Sequence, residues 1–502
     1  MIKKIPFLFL ITVFAGTAFS DDLASTSSFR CPTTKLSKTF LRSLSRSVSP
    51  QTKIIFPGTD GYSRALHHWS ETAEVKSAAV VQPKTSKDLS NIITLAANYS
   101  IDTAIVSGGH NNDGASSTQG LLIDLSQFNQ ICVSDDKKSV IVGAGLRWGV
   151  VYDHITPYNI SLVGGRVSSV GVGGFTLGGG YGWKSGEFGL AADNIIEAEM
   201  VLADGRIVTV SPTQHKDLYY GIRGGGGQFG VVTKFVFKAW PQENLVFSGF
   251  YNYNKDQVKD VAEAMEKWVA TNKDEKAGVM LIFAKPPPTF DAVPVVLVWY
   301  DGPGSVGKNA FKVFQDLNPS SDSTSDVSYA VSNTLQDDLV TDGDRKTMSS
   351  VAWKTITTEK ILQAHEFYVN FTNSVPSAAQ SSILIEPVFS GAFDGIRDSD
   401  SAYPHGEVLH VTGIVPRWPT SADDSTIKAW VAKGTTLLRS LESHNIVYPN
   451  YSIYSEPLEN MFGENLDSLI ALKAKYDPDC VFRHGFVFPT RSCRRCPAPA
   501  SW

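Results

Sequence analysis

The sequence predicts an α+β fold on three observations: short aliphatic runs spaced by turn signals, an amphipathic helical window set between two of them, and a change of texture after Trp240-Pro241. In chain order, residues 78–83 read as a strand closed by Pro83, which cannot donate to a ladder. Residues 86–99 read as a helix, with Ser86 as its cap and Leu89, Ile92, Ile93, Ala96 and Ala97 on one face. Ala104-Ile105-Val106 gives a second strand, and further short strands are expected at 121–123, 139–142, 198–202 and 207–210, separated by turns such as Ala203-Asp204-Gly205-Arg206. That alternation is an α+β layout and not a regular βαβ repeat. Beyond residue 241 the pattern predicts long alternating strands at 246–253 and 293–300, helices at 257–270 and 308–317, and a Ser/Asp-rich surface loop at 320–326. Together these predict a broad antiparallel sheet flanked by helices, covering a substrate.

The chain has 502 residues, 42% of them hydrophobic and 19% charged, with a net charge of -5, a size that allows two or three domains. Neither nucleic acid nor an anionic membrane suits that balance. The Arg-rich end 491–496 is short, is followed by prolines, and reads as a solvated tail. Residues 1–20 have the layout of a secretory signal: Lys3 and Lys4, an apolar core from Ile5 to Val13, then small residues before Asp21-Asp22. The expectation is a soluble secreted protein, since that core is shorter than the roughly 20 residues of a spanning helix. Asn98, Asn159, Asn370 and Asn450 head glycosylation patterns. Of the five cysteines, Cys31 with Cys132 is the preferred disulfide, and Cys493-x-x-Cys496 reads as a tail disulfide or free thiols, not a zinc site.

Three glycine clusters carry the chemistry. Ser107-Gly108-Gly109-His110-Asn111-Asn112-Asp113-Gly114 follows a strand, where glycines let backbone amides approach an anion and hold His110 beside what that anion carries. The second cluster runs from Gly164 to Gly182 and is too glycine-dense for an ordinary helix or strand. It does not open a βαβ unit near the chain start, as a dinucleotide fingerprint requires. The third, Arg223-Gly224-Gly225-Gly226-Gly227-Gln228-Phe229-Gly230, leads into a strand at Val231-Val232.

The order of these clusters, with Gly189-Leu190-Ala191-Ala192-Asp193-Asn194 between the last two and Tyr448-Pro449-Asn450-Tyr451, Phe462-Gly463-Glu464-Asn465 and Lys473 to Pro478 near the end, resembles the berberine-bridge-enzyme-like family of secreted FAD-linked oxidoreductases. The resemblance covers about residues 60–490. It implies a two-lobed FAD-binding domain of the vanillyl-alcohol-oxidase (PCMH) type built from both chain ends, residues 21–240 (core about 72–241) and 445–490. Between them lies an inserted substrate domain at 241–444, with a signal at 1–20 and a tail at 491–502.

The resemblance also implies roles. His110 matches the histidine joined to the flavin 8α carbon, and Ser107, Gly108, Gly109, Asn111, Asn112, Val170, Gly171, Gly174, Gly178, Gly180, Asn194, Val232 and Asn450 match cofactor-contacting positions. Many relatives carry a second link through a cysteine where this chain has Val167, so a single covalent link through His110 is expected. Tyr451 matches the catalytic base, with Tyr448 as an assistant or substrate wall. A phenol titrates near 10 unperturbed, so Tyr451 needs a positive neighbour or strong hydrogen bonds to act near neutral pH. Its overlap with a glycosylation pattern is read as accidental. Val170 stands at the position that gates oxygen, and a valine there resembles the oxygen-reactive members.

The resulting expectation is a monomeric oxidase acting on a small-molecule alcohol, sugar or secondary metabolite, with dioxygen as acceptor. An FAD dehydrogenase or oxidative cyclase using another acceptor, and a non-catalytic secreted binding protein, stand as alternatives. Glu386, His405 and His410 are polar candidates for the pocket, with a structural role favoured for each.

Overall fold

Three sheets organise the chain, seen here in a computed structural model that describes residues 31–388, 391–393, 395–405, 410–453 and 455–495. The signal expected at 1–20, and Cys496, lie outside the described residues. The described residues from 32 onward belong to one compact unit.

The first sheet has the spatial order Lys53–Ile55, Ala79–Gln82, Leu121–Asp124, Thr103–Val106. Leu121–Asp124 runs parallel to both strands beside it, so the first half of the chain does contain a parallel crossover, carried by the helix Ser86–Asn98. That helix is capped by Thr85 and not by Ser86. The Thr85 side chain accepts from the backbone N–H of Asp88, whose carboxylate reaches back to the Thr85 amide, forming a reciprocal capping box. The second sheet is antiparallel, in the order Ile131–Val133, Ser139–Gly143, Val231–Lys238, Ile195–Val201, Ile207–Val210.

The third sheet is drawn wholly from residues 246–415 and is antiparallel throughout. Its order is Ser321–Asp322, Val246–Asn252, Val293–Tyr300, Ala277–Ala284, Ser382–Glu386, His410–Val415, Ser349–Trp353. One face carries the helices Val258–Thr271, Thr358–Ser374 and Asp424–Ser440 over a core that includes Phe283, Val298, Trp353 and Ile385. The other face, with Met280, Ile282, Leu297 and Trp299, joins the core that the first two sheets share. Strand alternation puts Glu386 on that inner face, opposite Val411 and in step with Leu384 and Ile282. Two expectations change here. Residues 320–326 are not a plain loop, because Ser321–Asp322 and Ser325–Val327 both add to the edge strand Val246–Asn252. The helix expected at 308–317 is two short helices, Gly304–Ala310 and Lys312–Gln315, broken at Phe311.

The C-terminal return is fastened by a buried cation. Lys473, on the helix Leu466–Tyr476, donates to Gln228 O at 2.8 Å and Phe482 O at 2.5 Å and pairs with Asp477 at 2.6 Å, tying the third glycine cluster to the chain end. Both side chains are fully buried, the setting in which an ion pair must be completely hydrogen-bonded. Cys480 is bonded to Cys493 and Cys132 carries a free, exposed thiol, so the expected Cys31–Cys132 disulfide is not formed. Cys132 sits on the outer face of an edge strand, where sequence spacing gives no hint of its distance from any partner. No helix among the described residues is long and apolar enough to cross a membrane.

Candidate active site

The strand Thr103–Val106 delivers the first glycine cluster against the second. Gly109 takes φ +69°, a conformation open to glycine, and its carbonyl accepts from the Trp69 amide at 3.0 Å. Gly108 and Gly171 press backbone to backbone: a Cβ on Gly108 would lie 2.3 Å from the Gly171 nitrogen, so neither position admits a side chain. Ser107 Oγ donates to Ala144 O at 2.7 Å, and Arg147 donates to Gly108 O at 3.3 Å. Asn111 Oδ1 accepts from the amides of Asp113 and Ala115 and shapes the turn, and the buried Asn112 offers its carbonyl to Thr72. Gly178 packs on Asn450, whose amide donates to Phe175 O and to the Tyr448 hydroxyl, both at 3.0 Å. Gly180 accepts from the Ala191 amide.

His110 is half-buried and fixed on two sides. Its Nε2 lies 2.8 Å from Ser169 Oγ, and its ring stacks on Trp69 with centroids 5.5 Å apart and planes 8° apart. Burial, reinforced by the Arg147 charge, pushes its pKa down to about 3, so the imidazole is neutral at physiological pH.

A second cluster forms where Glu386 meets the end of the chain. Arg166 Nη2 pairs with Glu386 Oε2 at 2.6 Å and donates to the Tyr451 hydroxyl at 3.3 Å, while that hydroxyl lies 3.5 Å from Glu386 Oε1. The Arg166 guanidinium also lies 5.2 Å from the centre of the Tyr181 ring and 4.9 Å from that of Trp183. Burial pushes the Tyr451 phenol well above the ordinary range, the Glu386 charge pushes it further, and Arg166 opposes both. Tyr448 stands edge-on to Tyr451 at 5.0 Å, and its hydroxyl accepts from the Tyr181 amide at 2.9 Å. Tyr448, Leu190, Val388, Phe393 and Val411, with Tyr181, Tyr403 and Tyr451 against them, make a small apolar cluster separate from the main cores.

A positive neighbour of the kind expected beside Tyr451 is therefore present: it is Arg166, to which the sequence alone assigns no role. Its signal was a charge in a run of small and apolar residues, which a buried location obliges to find a partner. Ser169 and Trp69 were missed for the same reason, since their meaning lies in contacts 59 and 41 positions away along the chain. Of the other candidates, His405 is bound to Asp193 at 2.9 Å, and His410 accepts from the Val388 amide, with burial pushing its pKa down to about 4. Both support the walls. The Asn194 amide spends both its hydrogens on Phe188 O and Leu190 O and its oxygen accepts from the Trp240 indole, so it has no hydrogen left to donate to a ligand. Val232 is buried in the strand Val231–Lys238, and Val170 is half-buried with its carbonyl accepting from the Trp148 amide.

The residues present fit a flavin dinucleotide. Among the described residues the amides of Gly108, Gly109 and His110 donate to no protein acceptor, the donor set an anionic pyrophosphate needs. Gly174 lies on a short helix, Val172–Leu177, which the second glycine cluster forms despite its glycine density; it is exposed and a Cβ there would meet nothing within 4 Å, so this helix face borders open space.

Comparison with known proteins agrees with this fit. An FAD binding domain model matches residues 77–211, and a berberine and berberine-like model matches residues 447–485. The FAD-linked oxidoreductase pgmH of Aspergillus terreus is 28% identical over 452 residues, covering 85% of this chain and 90% of that protein. Among solved structures, the fold is shared with BBE-like 1 of Physcomitrella patens (TM-score 0.80, 22% identity) and with a variant of berberine bridge enzyme in complex with (S)-reticuline (0.78, 21%). Each covers 90% of this chain and 99% of its own.

Proposed function

We propose that this chain, an FAD-linked oxidoreductase of the berberine-bridge-enzyme-like kind, is a secreted, monomeric oxidase of a small-molecule alcohol, sugar or secondary metabolite, with FAD tethered only at His110 and dioxygen as acceptor. The observation that carries the reading is the Tyr451 hydroxyl set between Arg166 and Glu386. When bound, FAD supplies the two-electron acceptor for a hydride leaving a substrate carbon. The chain's own task is the proton. Tyr451 accepts the substrate's hydroxyl or amine proton while its own passes to Glu386, so the phenol need not carry a full negative charge that its surroundings resist. Arg166 bonds both side chains through Nη2, holding them together, and stays charged. Tyr448, whose hydroxyl already accepts two hydrogen bonds, serves as wall and support.

Support for the single tether is the placement of His110 together with valine at 167, which cannot form a thioether. Val170 beside the same loop supports dioxygen as acceptor, and the layout of residues 1–20 supports secretion. Asn98, Asn159 and Asn370 are exposed and suit glycosylation, whereas Asn450 is half-buried and hydrogen-bonded in the site. Acid precipitation of the purified protein tests the core of this reading. A yellow pellet that turns colourless in His110→Ala is expected, and flavin retained by that variant refutes the tether. Peroxide release across alcohols, sugars and alkaloid-like amines then identifies the substrate. Reduction of a dye without peroxide would instead mark a dehydrogenase, and a protein without flavin a non-catalytic binding protein.

A further inference from the structure

His110 can be linked through either ring nitrogen, and its surroundings distinguish the two. Nε2 is engaged by Ser169 Oγ at 2.8 Å. The ring plane is set by Trp69, stacked at 5.5 Å and 8°. Trp69 is itself clamped: its indole N–H donates to Val340 O at 3.1 Å, its amide to Gly109 O at 3.0 Å, and its carbonyl accepts from Lys346 Nζ at 2.7 Å. The same Lys346 ammonium lies 4.7 Å from the centre of the indole ring. The histidine therefore has a fixed plane and one occupied nitrogen before any bond is made.

We propose that Ser169 and Trp69 are positioning residues for flavin attachment, directing Nδ1 of His110 to the 8α carbon by holding Nε2–H on the serine hydroxyl. The proposal rests on the reading that His110 is the tether. With the proton on Nε2, the in-plane lone pair lies on Nδ1, the nucleophilic position. Net, one C–H bond of the 8α methyl and one N–H bond of the imidazole break and one N–C bond forms. The two protons and two electrons released leave as hydrogen peroxide once dioxygen, the oxidant, accepts them. A hydroxyl suits this change because it can accept from Nε2–H beforehand and donate to the bare Nε2 afterwards, so the hydrogen bond survives. The low pKa of the ring is consistent with this, as a protonated imidazole would have no lone pair to offer.

The test compares wild type, Ser169→Ala and Ser169→Thr, each purified with FAD. It measures total flavin, the fraction retained after acid precipitation, and, by NMR of the flavinylated peptide, the linked nitrogen. Wild type is expected to be linked through Nδ1. Ser169→Ala should still bind FAD but show a covalent fraction, or rate of attachment, lower by about 10- to 100-fold, the scale on which losing the outer partner of a metal-ligating histidine acts. Ser169→Thr, which restores a hydroxyl, should restore attachment. Full Nδ1 attachment in Ser169→Ala, or linkage through Nε2 in wild type, overturns the role of Ser169 while leaving the tether intact. A wild-type pellet without flavin overturns the tether and this proposal with it. Should Ser169→Ala bind no FAD at all, the wild-type linkage and the threonine variant decide.

Discussion

Replacing Glu386 by glutamine isolates what each neighbour contributes to Tyr451. Arg166 lies 3.3 Å from the phenol oxygen and Glu386 lies 3.5 Å away. At an effective dielectric constant near 20, unit charges at such separations interact by about 5 kcal/mol, attractive from the guanidinium and repulsive from the carboxylate. The two nearly cancel, which leaves burial to hold the phenol protonated. Glu386→Gln removes the repulsion and keeps a hydrogen-bonding amide of the same size, so the phenolate gains about 5 kcal/mol relative to wild type and its titration falls back towards the ordinary phenol range near 10. The variant should therefore show, in ultraviolet difference absorbance, a tyrosine titrating in that range that is missing from wild type and from Glu386→Gln/Tyr451→Phe. With the proton's destination gone, turnover should fall by about 10²- to 10⁴-fold near neutral pH. It should then rise about tenfold per pH unit as the phenolate forms. An unchanged rate, or no new titration, would refute the relay through Glu386.

Three further outcomes follow from packing and charge. Burial works against the Asp193 charge, but the hydrogen bond and charge of His405, with Arg223 and the Leu190 amide, hold its carboxyl below the usual range. A depressed native pKa stabilises the fold above the unfolded value and is lost as pH falls through the native one, so melting temperature should drop as pH falls below the ordinary carboxylate range near 4, less steeply in Asp193→Asn. Gly178→Ala would place a Cβ 1.9 Å from Asn450 Oδ1. Its displacement should cost about 1–3 kcal/mol in denaturant unfolding and lower flavin loading. Reducing Cys480–Cys493, which closes a 13-residue separation, should lower unfolding stability by about 3 kcal/mol.

What could be read from sequence and what could not divide along physical lines. Glycine marks its own reason, a positive φ at Gly109 or a backbone contact at Gly108, so the loops around His110 announce themselves locally. Alternation places the strands 246–252 and 293–300 almost to the residue. The Thr85 cap displaces Ser86 by one position because the deciding partner, Asp88, is counted from the cap. Arg166, Ser169 and the Cys480–Cys493 bond stayed hidden because each depends on a partner brought close only by the tertiary fold. Glu386 was visible as a charge after an apolar strand, yet only pairing with Val411 shows which face of the sheet it takes.

The Lys473 knot sets a timetable for making the protein. Gln228 leaves the ribosome 245 residues ahead of the lysine that will hold its carbonyl, a wait of roughly 10 to 50 s at ordinary synthesis rates. Within that interval every strand of the inserted sheet, ending at Val415, has been made. The antiparallel sheet of residues 246–415 can thus assemble while the glycine cluster at 223–230 still lacks the helix Leu466–Tyr476 that fastens it, and chains stopped short of Lys473 would carry that sheet finished and the cluster unfastened.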